Sequence, residues 1–467
     1  MHNYRNAVIA FAAACPAVAQ AQSTEQLKTE LGALKAHVQK LEAMIDQADQ
    51  ARAEAKAKAR APEPDTSAEV ARLRVKTDAT DDAMQASGLK GLKISGYIDP
   101  TYIRNRNAGT SSFVFLNNNS SINGSGESFG YDNTYFGSAL LNLDKELEGG
   151  SKLRISLMPS KGTASGYNFG NLVHEASASI PLGDQSTRLL LGQIPDWSGY
   201  EYIPSTQNKL LTHNLLFDFS SANFYTGAGL QLLRGKWDSK IMLGNMNSAR
   251  VNDGGDRTPG VFYRVDYAMS EFSGFGISGT HAGFDDEDTV GRLDLMEVDG
   301  FYTRGDWNIQ GQLSYGRQQA TAANRYGAEQ QRWYGLSSLV SYKIMPRLEA
   351  IARLDYIFNG TGGGGVFGAT LAPGCKDLAG FAANCPDGRN GFGPGMVLRG
   401  GQWFVLDPTQ GANRGTLSVG TRYLLVPGVS VKGEYRYDYA TARTFRTLDG
   451  QYRRDNQVIG VSTVVSF

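Results

Sequence analysis

Residues 429–445 read VSVKGEYRYDYATARTF. Val429, Val431, Gly433, Tyr435, Tyr437 and Tyr439 fall at every second position, and Lys432, Glu434, Arg436 and Asp438 lie between them. A period of two is that of a β-strand, whose successive side chains point to opposite faces of the sheet. One face here is charged and the other is apolar, ending in three tyrosines. In a soluble sheet the charged face meets water and the apolar face meets a core. Three aromatics at one end of the apolar face suit another setting better, the level where hydrocarbon gives way to water.

The two-faced pattern recurs along the chain. In LRISL (153–157) Leu153, Ile155 and Leu157 share a face, with Arg154 and Ser156 opposite. In VFYRVDY (261–267) Val261, Tyr263, Val265 and Tyr267 oppose Phe262, Arg264 and Asp266. WNIQGQLSY (307–315) sets Trp307, Ile309, Leu313 and Tyr315 against Asn308, Gln310, Gln312 and Ser314. In LEAIARLDYIF (348–358) Leu354, Tyr356 and Phe358 oppose Arg353 and Asp355, and in LSVGTRYLL (417–425) Leu417, Val419 and Tyr423 oppose Arg422. An Arg or Lys facing lipid at mid-bilayer costs roughly 2–4 kcal/mol on a barrel exterior. A fold stable by about 5–15 kcal/mol does not absorb that strand after strand. The charged faces therefore look into water.

The connections between strands alternate in length. Short Gly- or Pro-containing turns are predicted at 147–151, 181–186, 234–236, 270–274, 304–306, 344–346 and 426–428. Longer polar connections are predicted at 105–131, 160–171, 195–219, 246–258, 283–292, 318–331, 359–414 and 441–454. Short turn and long loop in alternation describe an all-β, up-and-down antiparallel meander with its short turns at one end. The count is about 16 strands, an even number, as in transmembrane barrels. A β-sandwich gives no reason for such alternation. A barrel of that width holds a water-filled bore, because side chains do not fill it.

Composition agrees. The 467 residues carry 46 basic and 46 acidic side chains, so no net positive charge points to nucleic acid. Outside the N-terminus no run of about 18 apolar residues occurs, so no spanning helix is expected. A barrel keeps hydropathy low because only alternate residues face lipid.

The N-terminus is organised differently. Residues 1–21 have Arg5, an apolar run from Ala7 to Ala14 and an Ala19-Gln20-Ala21 cleavage pattern, and are expected to be a signal peptide. Residues 22–60 follow as a coiled-coil helix: Leu27, Leu31, Leu34, Val38, Leu41, Ile45 and Ala48 alternate by four and three. The alternative is an amphipathic helix docked on its own domain. Residues 61–91 supply a stiff APEPD spacer and a weaker helix, and residues 92–467 are the barrel. Cleavage removes Cys15 and leaves Cys375 and Cys385, an exported pair that reads as a disulfide in the Gly-rich loop. With no histidine or second cysteine pair near them, no metal site is expected, and no cofactor.

The chain ends QVIGVSTVVSF, an alternating strand finishing on Phe467. This resembles the terminal strand of Gram-negative outer-membrane barrels, whose last phenylalanine is read by the barrel-assembly machinery. NTYFGSALLNLDKELEGGSKLRISL (133–157) is similar to the second and third strands of porins around their first periplasmic turn. Residues 92–467 resemble a proteobacterial family of exported porin-like proteins of undefined function. The resemblance implies an outer-membrane location beside lipid and lipopolysaccharide, a periplasmic coiled coil, a homotrimer, and passive ion and small polar solute transport rather than catalysis. It also implies that the third long loop, 195–219, folds into the bore. Asp196 and Glu201, in PDWSGYE, are then expected to face wall cations drawn from Arg154, Arg264, Arg353, Arg422, Lys432 and Arg436 across a transverse field. The alternative is that these charges pair with wall neighbours such as Asp355, Glu434 and Asp438. Two other functions stand beside the channel. An outer-membrane hydrolase would draw on His174, His213 or His281, but no Gly-x-Ser-x-Gly accompanies them. A structural or adhesive barrel would use loop 359–414.

Overall fold

The computed structural model describes scattered helical residues between 32 and 84. Beyond them it describes 88–116, 137–161, 167–168, 172–247, 259–286, 289–319, 330–361, 370–371, 387–388, 395–407 and 410–467. The chain divides into two compact units, Met1–Gly88 and Leu89–Phe467. In the first, residues 38–50 are helical, with Val38, Leu41 and Ile45 about half exposed. This is the uncovered apolar side of the expected heptad seam. The signal segment, Leu27, Leu31, Leu34, the APEPD spacer, Cys15, Cys375 and Cys385 lie outside the described residues.

The second unit is a closed antiparallel barrel of sixteen strands. β1 runs in two pieces, Leu92–Ile98 and Thr101–Asn105, on either side of Asp99-Pro100. β2 also has two pieces, Thr110–Val114 and Ala139–Glu146, which pair with the two pieces of β1 in reverse order. Then come β3 (Lys152–Leu157), β4 (Val173–Leu182), β5 (Asp184–Pro195), β6 (Phe224–Arg234), β7 (Trp237–Met246) and β8 (Gly260–Ser270). They are followed by β9 (Ser273–Asp286), β10 (Thr289–Arg304), β11 (Trp307–Gln319), β12 (Gln330–Met345) and β13 (Leu348–Thr361). The last three are β14 (Arg414–Val426), β15 (Val429–Ala440) and β16 (Asp455–Ser466).

Each strand pairs with the next, and β16 pairs both with β15 and with β1, which closes the sheet. Closure leaves no sheet edge, the condition for strands in hydrocarbon. Gly96 and Phe467 exchange backbone hydrogen bonds of 3.2 and 3.1 Å at the seam. A Cβ on Gly96 would come within 2.9 Å of the Phe467 ring, so glycine there makes room for the terminal aromatic.

The facing follows the sequence pattern. On β15, Ser430, Lys432, Glu434, Arg436, Asp438 and Ala440 are buried, while Tyr435 and Tyr439 are exposed at 38% and 42%. Ile309, Leu313, Leu354, Leu417, Val419, Ile459 and Val461 are likewise exposed on the outside. A charged interior with an apolar skin inverts the plan of a soluble protein.

Aromatic side chains bound the apolar band. Near the short turns Trp237 packs on Tyr267 (4.5 Å between centroids) and Trp307 on Tyr342 (4.7 Å). Towards the long loops Tyr315 packs on Tyr334 (5.2 Å) and Tyr356 on Phe358 (4.5 Å). Trp307 and Tyr315 stand eight positions apart on β11. That is about 27 Å along the strand, or about 20 Å along the axis of a barrel tilted by about 40°. A band of this height matches the lipid-facing belt of a membrane barrel. The tyrosines of β15 belong to its upper edge.

The predicted short turns all join strands where expected. Two long connections differ. The region 105–131 turns tightly at 106–109 and pairs back along Thr110–Val114 before leaving the sheet. The region 283–292 is not a long loop: β9 and β10 remain paired to Asp286 and Thr289. Its acidic, glycine-containing sequence reads as loop, yet a hairpin that rises beyond the apolar band has no need of an apolar face.

Candidate functional site

The connection between β5 and β6 runs from 196 to 223 and folds into the barrel. Its neck is tied where Asp196 N–H donates to the Asn223 carbonyl (3.0 Å), and Asn223 N–H donates to Asn247 Oδ1 (2.7 Å). The loop ends in a short helix, Leu215–Ser220, capped by Asn214, whose Oδ1 accepts from Phe217 N–H at 2.8 Å. Such a cap contributes about 1 kcal/mol.

Apolar packing holds the helix to the wall. Leu215, Leu216 and Phe219 form one buried cluster with Leu293 and Leu295 of β10, Trp333 of β12 and Ile357 of β13. Each buried side chain of this size contributes about 1.5–3 kcal/mol. Trp333 Nε1–H donates to Ser220 Oγ at 2.8 Å. The indole fits because its cross-strand partner is Gly316, where a Cβ would lie 1.9 Å from the ring. Tyr200 and Leu210 of the loop pack on Leu339 of β12 and Ile351 of β13.

Charged wall residues complete the attachment. The Arg353 guanidinium donates to Glu201 Oε1 (2.9 Å), the Thr212 carbonyl (2.6 Å), Thr212 Oγ1 (2.8 Å), the His213 carbonyl (2.8 Å) and Asp355 Oδ2 (3.2 Å). Arg436 donates to the same His213 carbonyl at 2.8 Å and to Asp438 at 3.0 Å. Lys432 Nζ–H donates to the carbonyls of Ser205 (2.5 Å) and Asn208 (2.6 Å). Glu434 accepts from the N–H groups of Leu211 (2.8 Å) and Thr212 (2.7 Å). Lys209 pairs with Glu349, and Arg264 donates to the Trp197 carbonyl at 2.8 Å while forking onto Asp299 at 2.8 and 2.9 Å. Loop carbonyls and N–H groups without strand partners thus find wall charges, which satisfies both in a region with little water.

The residues singled out in the sequence separate into three sets. Glu201, Arg353, Asp355, Lys432, Glu434, Arg436 and Asp438 meet beneath the loop, all at most 5% exposed. Loop backbone takes up much of the cation donor capacity, so they form a buried lattice and not an open charged wall. Asp196 hydrogen-bonds Ser198 and the Tyr225 hydroxyl at the loop entry, with the charge of wall residue Arg264 close enough to act on its carboxyl. Arg264, with Asp266 and Asp299, anchors the loop at Trp197.

Arg154 lies away from the lattice, whereas Arg422 borders it, directly opposite Lys432 on β15 and Glu349 on β13. The Arg154 side chain is 50% exposed, donates to Asp144 Oδ1 at 2.6 Å and lies 3.9 Å from Glu175. Lys93 and Lys152 sit on the same inner face and are exposed, and Arg422 is half-buried.

Among the described residues the histidines assemble no triad. His213 Nε2 lies 2.8 Å from the Tyr202 carbonyl, and its ring stacks on Phe217 at 4.2 Å. His281 lies 2.9 Å from Asp294, on the outer face of β9. Burial, with the charges of Arg353, Lys432 and Arg436 nearby, holds the His213 imidazole down to about 3, so it is neutral at ordinary pH.

Sequence reasoning missed the apolar patches inside the bore. Their signal was present: Ile351 and Ile357 sit among Glu349, Arg353 and Asp355 on the polar face of β13. Apolar residues on a water-facing side mark where another segment docks.

These features define the class: a closed sixteen-strand barrel with apolar skin, polar bore and an inward third loop has the fold of the outer-membrane porins. The chain belongs to the family described as "Protein of unknown function (DUF3138)", whose model matches residues 4–258 and 266–467. Among solved structures it is similar to the anion-selective porin from Comamonas acidovorans, with a TM-score of 0.50 and 11% identity over 80% of this chain and 99% of that one. Two others are the outer membrane channel DcaP of Acinetobacter baumannii and a loop L8 deletion mutant of OmpT, an outer membrane protein of Vibrio cholerae. Their TM-scores are 0.46 and 0.47, at 11% and 10% identity, over 80% of this chain and 97% and 99% of theirs. No curated protein matches.

Proposed function

We propose that the protein is an outer-membrane porin, a water-filled channel through which small polar and charged solutes diffuse passively. The observation that carries this is the asymmetry of the bore. The inward loop is bound to the side formed by β8–β16 and reaches round to Tyr97 and Ile103 of β1, while on β3 Arg154 stands half-exposed beside Asp144 and Glu175. Buried charge on one side and wetted charge on the other are what an off-centre aqueous path requires. Solutes then pass along β2–β4 and the first residues of β1, where Lys93, Lys152 and Arg154 stand opposite or beside Asp144, Glu146 and Glu175, a mixed lining that admits small solutes of either charge. Residues 1–21 direct export, and the heptad helix of residues 22–60 assembles three copies on the periplasmic side.

The test is conductance of the folded full chain in a planar bilayer, with reversal potentials in a salt gradient. Stepwise ohmic currents support the proposal, and the reversal potential reports which charge passes more easily. A folded barrel that inserts and passes no current refutes it.

A further inference from the structure

Above the upper aromatic band the outer face of the barrel turns basic on three adjacent strands. Asp294 of β10, Arg317 of β11 and Arg332 of β12 are directly opposite one another in register. They lie one same-face step beyond the Tyr315–Tyr334 pair, towards the long loops. Arg292 flanks them on β10, 68% exposed. Asp294 is already engaged, 2.9 Å from His281 and 3.1 Å from Arg292. Arg317 and Arg332 therefore face each other as like charges, with Cβ atoms about 4.5–5.5 Å apart, an arrangement that is unfavourable by itself. Arg317 Nε is buried without a hydrogen-bond partner. Two guanidinium groups set side by side, one with a donor unused, are suited to an oxyanion that several N–H groups can share.

We propose that Arg317 and Arg332, supported by Arg292, bind a phosphate group of a phosphorylated glycolipid in the outer leaflet. The height selects the lipid: the cluster sits where the apolar band ends, at headgroup level, on the long-loop side and outside the bore. This inference rests on the reading of the barrel as a membrane-spanning protein but not on its conducting.

The test uses the full chain folded in detergent and titrated with three probes: lipid A, dephosphorylated lipid A and inorganic phosphate. Binding is read by native mass spectrometry. Each surface arginine contributes about fivefold to attraction of an anionic lipid, so Arg317→Gln with Arg332→Gln should weaken lipid A binding roughly thirtyfold. Dephosphorylated lipid should bind the wild type as weakly as lipid A binds the variant. Heat-modifiable gel mobility shows whether the variant barrel is folded. If the double variant does not fold, Arg332→Gln alone should show the fivefold loss. Unchanged lipid A binding by a folded variant overturns the proposal. So does equal binding of the dephosphorylated lipid. Inorganic phosphate competing as well as lipid A does would mean a free-phosphate site and also overturn it. A barrel that conducts but ignores the phosphate overturns this inference alone; one that binds lipid A and never conducts overturns the channel alone.

Discussion

Replacing Arg353 by methionine tests the docked loop at its centre. The native guanidinium, fully buried, joins the wall to the loop through Glu201, Thr212 and His213. Arg353→Met keeps the length and removes the donors. Glu201 and Asp355, at 4% and 0% exposed, are left as buried carboxylates without their cation. Breaking a buried pair from one side costs about 3–5 kcal/mol. The strand ladder does not involve the guanidinium, so the barrel keeps its heat-modifiable mobility and the cost falls on docking. Loop 196–223 should become sensitive to protease added to the detergent-folded barrel, and single-channel currents should become noisier and larger. Adding Glu201→Gln should restore part of the protection, because a neutral amide in that place no longer demands a cation. An Arg353→Met protein with native protection and quiet native currents would show that apolar packing alone holds the loop, and the charge-lattice account would be wrong.

Other consequences follow from the same geometry. The imidazole of His213, on the inward loop and not on a spanning strand, titrates near 3 when docked and near 6.5 when released. The released loop binds the extra proton, so this group's contribution to docking is full above about pH 6.5 and weakens as pH falls, by about 1.4 kcal/mol per unit. The Glu201 carboxyl, raised to about 7 by burial, acts in the opposite sense until pH falls to its ordinary 4.5. Channel noise should therefore rise only between about pH 4.5 and 3, and His213→Asn should flatten that rise; an unchanged profile in the variant assigns it elsewhere. Leu313→Arg places a cation on the exposed outer face of β11 and should cost roughly 2–4 kcal/mol in urea unfolding from bilayers, where a soluble protein would show almost none. Arg154→Gln should leave the barrel intact and shift the reversal potential towards cations, and a potential that does not move excludes a path along β3. Asn214→Ala should weaken loop protection by about 1 kcal/mol through loss of the helix cap.

Strand number, facing and the position of the short turns were legible because each is a local property. A strand's two faces are written in alternate residues, as in Val429–Ala440, and a turn is written in its own glycine or proline. Local properties also misled: the acidic stretch around Asp285 and Asp286 reads as a loop, but the hairpin there continues upward. The strength of pairing with a neighbouring strand is not visible in the strand itself.

The sequence by itself determined a two-faced sheet and hence a barrel, because lipid and water impose opposite demands on alternate side chains. It also placed Glu201 in a loop that enters the bore by its resemblance to porins. Only the tertiary structure decided which charges that loop consumes. Arg353 meets Thr212 across 141 positions and Glu434 meets Thr212 across 222, and no periodicity of the chain connects residues so far apart. Desolvation beneath the docked loop turned the expected charged wall into a buried lattice and left Arg154 wet on β3.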